Sequence, residues 1–213
     1  MLRLFPERLH VTLAPTAPGQ PWPAALAALH PLAWPRGARL TVVLSNAYVR
    51  YALVPWSASL SGTDEEEAYV RHHFAKVHGD RARAWALRWD DGGEPRLACA
   101  IDAGLLEDLQ AACAQGGAKL LSVQPALMAA VNRWRRAVRR RGAWLVLAEP
   151  ERSCVALSVG GEWRAVQTGR GSWRALLERE RVRQAADAPR LALIAGAKAE
   201  PDGSGWQFRA LAA

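Results

Sequence analysis

Apolar positions between residues 95 and 147 fall into short runs separated by one-sided stripes. The runs Arg96–Ile101, Lys119–Val123 and Ala143–Leu147 are almost wholly apolar, as expected of strands covered on both faces. Between them, Ala103–Gln115 sets Leu105, Leu106, Leu109 and Cys113 on one helical face. Ala126–Arg140 does the same with Leu127, Val131, Trp134 and Val138. Strand–helix–strand units of this kind predict a parallel central sheet with right-handed crossovers. Asp102 stands just before the first of these helices and is placed to cap it.

Elsewhere the patterns are shorter. Leu2–Ala14 alternates loosely around Pro6 and reads as a small hairpin, followed by a Pro-rich connector and a short helix over Ala24–His30. Arg39–Trp56 is rich in β-branched and aromatic residues on both sides of Ser45–Asn46, which predicts a tight antiparallel hairpin. Thr63 with Glu66 three residues on predicts a capping box for a helix that buries Val70, Phe74 and Val77 and stops at Gly79. A strand over Arg83–Trp89 then turns through Asp90-Asp-Gly-Gly into Arg96–Ile101. After Leu147, Ser153–Val159 and Trp163–Gln167 flank Gly160-Gly161, a hairpin signal. The helix Ser172–Ala185 and strands Arg190–Ala195 and Trp206–Leu211 close the chain.

Composition narrows the function classes. The chain has 213 residues, half of them hydrophobic and 23% charged, which is the balance of a globular sequence. No apolar run approaches the ~20 residues of a membrane-spanning helix, and the N-terminus lacks the apolar core of a signal peptide; a cytoplasmic protein is expected. Cys99, Cys113 and Cys154 have no metal-like spacing and read as buried, reduced thiols. The formal charge of +8 and pI near 10.2 allow nucleic acid, anionic lipid or an acidic protein face as partners and select none of them. Lysine is scarce and arginine abundant, a bias that a GC-rich genome also produces.

From Ala143 the order is strand, strand, strand, helix, strand, which is that of a ribonuclease H-like half-domain. The first part carries comparable elements with interruptions. Three stretches, LTVVLSNAYVRYALVPW, PRLACAIDAGLLEDLQAACAQGGAKLLSVQPALMAAVNRW and WLVLAEPERSCVALSVGGEWRAVQTGR, resemble the actin-like cytoplasmic assembly proteins of type IV pili and type II secretion, the PilM and GspL classes. The resemblance implies an α/β, ribonuclease H-like or actin-like ATPase fold. Its two abutting half-domains, 1–124 and 125–213, have mixed sheets flanked by helices, and the helix 126–140 enters the second. It also implies a scaffold that binds the cytoplasmic segment of an inner-membrane assembly protein, with an assembly ATPase as a further partner and membrane association only through the partner. Actin-like ATPases hold nucleotide between two Gly-containing hairpins. Here the positions expected to supply them read Leu4-Phe-Pro-Glu-Arg and Ala148-Glu-Pro-Glu-Arg-Ser. Pro150 offers no N–H, while Glu149 and Glu151 bring negative charge to a phosphate position. A degenerate, non-catalytic member without ATP, Mg²⁺ or another cofactor is the expectation. The alternatives are an ATPase with an atypical phosphate loop and a basic nucleic-acid-binding module.

Candidate chemistry beyond that is sparse. His72, His73 and His78 lack the spacing of a metal face, and Leu2–Phe5 lacks the carboxylate that a ribonuclease H-type nuclease needs on its first strand. Neither a Walker motif nor a GxGxxG is present. Two places stand out. Arg133, Arg136 and Arg140 edge the helix stripe and could dock a partner, with a solvated face as the plain alternative. Gly169, Arg170, Gly171 and Ser172 lead into a helix and could hold an anion, with a capped loop as the plain alternative.

Overall fold

A computed structural model describes residues 7–29, 34–139, 142–184, 188–200 and 203–211. Eleven strands and six α-helices are assigned among them. They are β1 (Arg8–Leu13), α1 (Trp22–Leu29), β2 (Arg39–Leu44), β3 (Arg50–Val54), α2 (Thr63–His78), β4 (Trp85–Trp89), β5 (Arg96–Asp102), α3 (Ala103–Gln115), β6 (Lys119–Pro125), α4 (Ala126–Arg133), α5 (Arg135–Arg139), β7 (Ala143–Leu147), β8 (Ser153–Val159), β9 (Glu162–Gly169), α6 (Trp173–Val182), β10 (Leu191–Ala195) and β11 (Gln207–Ala210).

The second half follows its pattern closely. Its sheet runs β11-β10-β7-β8-β9, with β7, β10 and β11 parallel and β8 and β9 antiparallel. The central strand β7 is buried at all five positions, so both faces need apolar side chains. Trp144 and Val146 pack with Leu176 and Leu177 of α6 on one face. Ala143, Leu145 and Leu147 pack with Leu127 and Val138 from the preceding helices on the other. Gly160 and Gly161, both at positive φ, turn β8 into β9 as predicted.

In the first half the strands pair in an unexpected way. β1, β2 and β6 form one parallel sheet and β3, β5 and β4 a separate antiparallel one. The three strands of 95–147 therefore enter three different sheets, and the predicted parallel sheet does not form. β2 and β3 are no hairpin either: the Ser45–Asn46 turn carries the chain from one sheet to the other. β1 pairs in parallel with β2, while the Leu2–Phe5 arm of the predicted N-terminal hairpin lies outside the described residues. Helix α1 and the Leu105–Leu109–Ala112 face of α3 cover the parallel sheet. Val70 and Phe74 of α2 cover the antiparallel one.

Local departures have local causes. Gly62, not Thr63, is the N-cap of α2; it gives no side-chain cap, and Glu65 instead accepts from the Ser61 N–H at 2.8 Å and from its hydroxyl at 3.1 Å. Val77 is 74% exposed, because the chain leaves α2 into a 3₁₀ turn over Gly79–Ala84 and β4 begins only at Trp85. The helix expected over Ala126–Arg140 breaks at Trp134, and Arg140 lies outside the described residues. Asp102 caps α3 as expected, accepting from Gly104 N–H at 2.9 Å.

Candidate functional site

The two halves meet where the β2–β3 turn faces the β7–β8 turn. Ser45 and Asn46 are buried. Both donate to one carboxylate: Ser45 Oγ and Asn46 N–H, the latter at 2.9 Å, to Glu149 Oε2, and Asn46 Nδ2 at 2.9 Å to Oε1. Behind them Tyr51 Oη donates to Asn46 Oδ1 at 3.1 Å, and the Leu127 N–H at the start of α4 donates to Tyr51 Oη at 3.4 Å. Burial raises the Glu149 carboxyl above its usual range, and the bonds from Ser45 and Asn46 pull it part of the way back. Among the described residues, Ser45–Asn46 faces the second turn; residues 4–6 of the expected Leu4–Arg8 hairpin lie outside the described ones. Nothing in the local pattern around Ser45 announces this. Its partner is 104 residues away.

A second feature lies between two open sheet edges. β4 ends one sheet and β6 ends another, and both line a groove of about 440 Å³. Its floor is apolar, built from Leu97, Cys99 and Ile101 of β5 and Leu106 of α3, and Arg88 and Gln124 are among its polar residues. Leu106, predicted to be buried with its stripe, is half-buried at this floor. The β2–β6 register slips between Leu40–Leu120 and Thr41–Ser122. Leu121 is the extra residue of that bulge, and its side chain is 45% exposed in the groove. Large exposed aliphatics are few among the described residues, and this one lies on a strand that ends its sheet there.

Cys99 sits in the same floor, and burial pushes its thiol up to about 11. All three cysteines are free. At pH 8 Cys99 is expected to react with iodoacetamide roughly 100-fold more slowly than an unperturbed thiol, since the thiolate is the nucleophile. Mass-spectrometric alkylation kinetics measure this, and labelling at the rate of an unfolded control would contradict it.

The sequence-predicted residues divide. Arg133 and Arg136 are exposed, with the Arg133 guanidinium 5.7 Å from the Trp134 ring centroid. Gly169 is the last residue of β9, paired with Ser153, rather than a loop residue. Gly171 takes positive φ, and the Ser172 hydroxyl caps α6 by accepting from Ala175 N–H at 3.5 Å. Arg170 opens onto a cleft of about 250 Å³ that Arg50 and Arg152 also line. Of the three histidines on α2, His78 packs its ring 5.0 Å from Trp85. No group of three or more His, Cys, Asp or Glu residues that could hold a metal ion occurs among the described residues. No helix among them is long and apolar enough to cross a membrane.

This architecture is the actin-like ATPase fold. The chain is similar to the cytoplasmic domain of EpsL, an inner membrane component of the type II secretion system of Vibrio cholerae, with a TM-score of 0.62 at 13% identity over 89% of this chain and 74% of that one. It is also similar to a chain of the PilM-PilN type IV pilus biogenesis complex (TM-score 0.54, 19% identity, 80% and 56% covered). A Bacteroides thetaiotaomicron protein of unknown function with an actin-like ATPase fold gives 0.56 at 8% identity, with 85% and 70% covered. At such identities the likeness is one of fold. No protein-family model and no curated protein matches the sequence.

Proposed function

We propose that the chain is a non-catalytic scaffold of a type IV pilus or type II secretion-like machine, acting at the inner face of the inner membrane. It would bind the cytoplasmic segment of an inner-membrane partner. The observation that carries this reading is the groove between β4 and β6, with Leu121 standing in it. Two unpaired strand edges offer main-chain donors and acceptors to an extended segment, and the apolar floor takes alternate side chains. The halves 1–124 and 125–213 would act as one unit, held by the Glu149 contacts. Arg133, Arg136 and Arg140 would face a further, acidic partner such as an assembly ATPase.

A nucleoside polyphosphate with Mg²⁺ does not fit the residues at the junction. Ser45 and Asn46 already donate to the chain's own carboxylate, and Pro150 supplies no N–H in the turn that would face the phosphates.

The test is calorimetric titration with synthetic peptides copying the short cytoplasmic tail of any membrane protein found encoded beside this chain. Saturable binding is expected, weakened about tenfold or more, at least 1.4 kcal/mol, by Leu121→Asp with the circular dichroism spectrum unchanged. Equal affinity in the variant would move the site elsewhere. Saturable micromolar binding of Mg-ATP would overturn the non-catalytic reading.

A further inference from the structure

Three arginines far apart in sequence reach one cleft. Arg50 opens β3, Arg152 closes the β7–β8 turn and Arg170 follows β9. All three line the same concave space of about 250 Å³, walled by Trp22, Tyr48 and Trp85. Arg50 commits Nη1 to the carbonyls of Ala47 and Val49, at 3.1 and 3.0 Å, and holds its guanidinium half-buried. Neither Arg152 nor Arg170 has a carboxylate partner among the described residues. The two acidic residues of the cleft are engaged with backbone: Asp102 accepts from Gly104 N–H at 2.9 Å and Glu151 from Gly19 N–H at 3.1 Å. Both carboxylates keep their charge, so the three cations outnumber the anions by one. Burial lowers the Arg50 pKa, and the charge of Arg152 lowers it further, a repulsion that a bound anion would relieve.

We infer that this cleft is a binding site for a phosphate group. Arginines supplied to one cleft by three separate elements suit a compact tetrahedral oxyanion, which accepts along several directions at once, better than a single planar carboxylate. The space is smaller than the roughly 300 Å³ at which pockets for drug-sized ligands begin, so the occupant is a phosphate on a small scaffold or a headgroup. The site shares Ile101 alone with the groove proposed for the partner segment and stands or falls without it.

The experiment is a titration of the full chain with inorganic phosphate, followed by calorimetry and thermal shift, against sodium chloride at matched ionic strength. Binding with a Kd of about 1 mM or tighter is expected, weakened at least tenfold in the double variant Arg152→Gln/Arg170→Gln. Arg164→Gln, which removes one charge outside the cleft, should leave it unchanged. A parallel co-sedimentation with phosphatidic acid and phosphatidylcholine vesicles assigns the source. Retention by the first alone, lost in the double variant, points to a headgroup, and a response to inorganic phosphate alone points to a small soluble ligand. No response above chloride in either arm, or equal binding by wild type and double variant, would overturn the inference.

Discussion

Gly196→Ala is expected to lower stability by about 2–5 kcal/mol, a large part of the roughly 5–15 kcal/mol that holds a typical domain together. Gly196 follows β10 with φ +82°, and a Cβ there would lie 2.2 Å from the Ala148 carbonyl oxygen. Both atoms belong to backbone, so no side chain can swing aside. The Ala148 N–H also donates to Ala195 O at 2.9 Å, which fixes the segment that would have to retreat. Positive φ costs a residue with a side chain about 1–2 kcal/mol, and overpacking typically adds about 1–3 kcal/mol. Gly160→Ala is the control: its φ is +64° and nothing lies within 4 Å of the added atom, so only the conformational part is lost. Urea denaturation of the two variants measures the difference. Equal midpoints would mean that β7 and β10 do not approach as closely as described.

Glu149→Ala should destabilise the protein by about 3 kcal/mol or more. It leaves the buried Ser45 hydroxyl and both Asn46 donors without their acceptor, and each unsatisfied buried polar group costs about 1–3 kcal/mol. Glu149→Gln keeps one acceptor oxygen but turns an NH₂ group toward Asn46 Nδ2, and should lie between alanine and wild type. The pH dependence has a definite sign. The folded carboxyl titrates above its usual 4.5 because it is buried, so the native state holds this proton more tightly than the unfolded chain. Wild-type stability relative to Glu149→Gln therefore falls as pH rises from about 4.5 through the folded value, then levels off. Denaturant midpoints between pH 4 and 8 test it. A difference that rises with pH would mean that the bonds from Ser45 and Asn46, rather than burial, control the group.

The contacts behind these two substitutions differ in how visible they are beforehand. Gly196 follows an apolar run and reads as an ordinary strand terminator; its close approach to Ala148 exists only once β10 lies beside β7. Glu149 reads as a charge that discourages phosphate. That its oxygens are taken by Ser45 and Asn46 depends on the two turns meeting. The Arg50–Arg152–Arg170 cleft is a similar case. Arg170 is noticeable because glycines flank it, whereas Arg50 and Arg152 are unremarkable in their own segments. Leu121 sits in a run that predicts a strand, and no local signal separates it from Leu120. The bulge arises because β6 has one more residue than β2 can pair.

By itself the sequence determined the elements: the 2.0 and 3.6 periodicities, Asp102 and Ser172 as caps, and Gly160-Gly161 as a turn. These depend on interactions within about 15 residues, whose energetics the local pattern records. Tertiary structure alone decided which sheet each strand joined. β5, β6 and β7 are all short runs of five to seven residues, and pairing energy is similar wherever such a strand finds an open edge. β3 and β4 claimed β5 from both sides, β2 claimed β6, and β7 was left to begin the second half. Those long-range choices opened the groove at the β4 and β6 edges and brought Glu149 to Ser45.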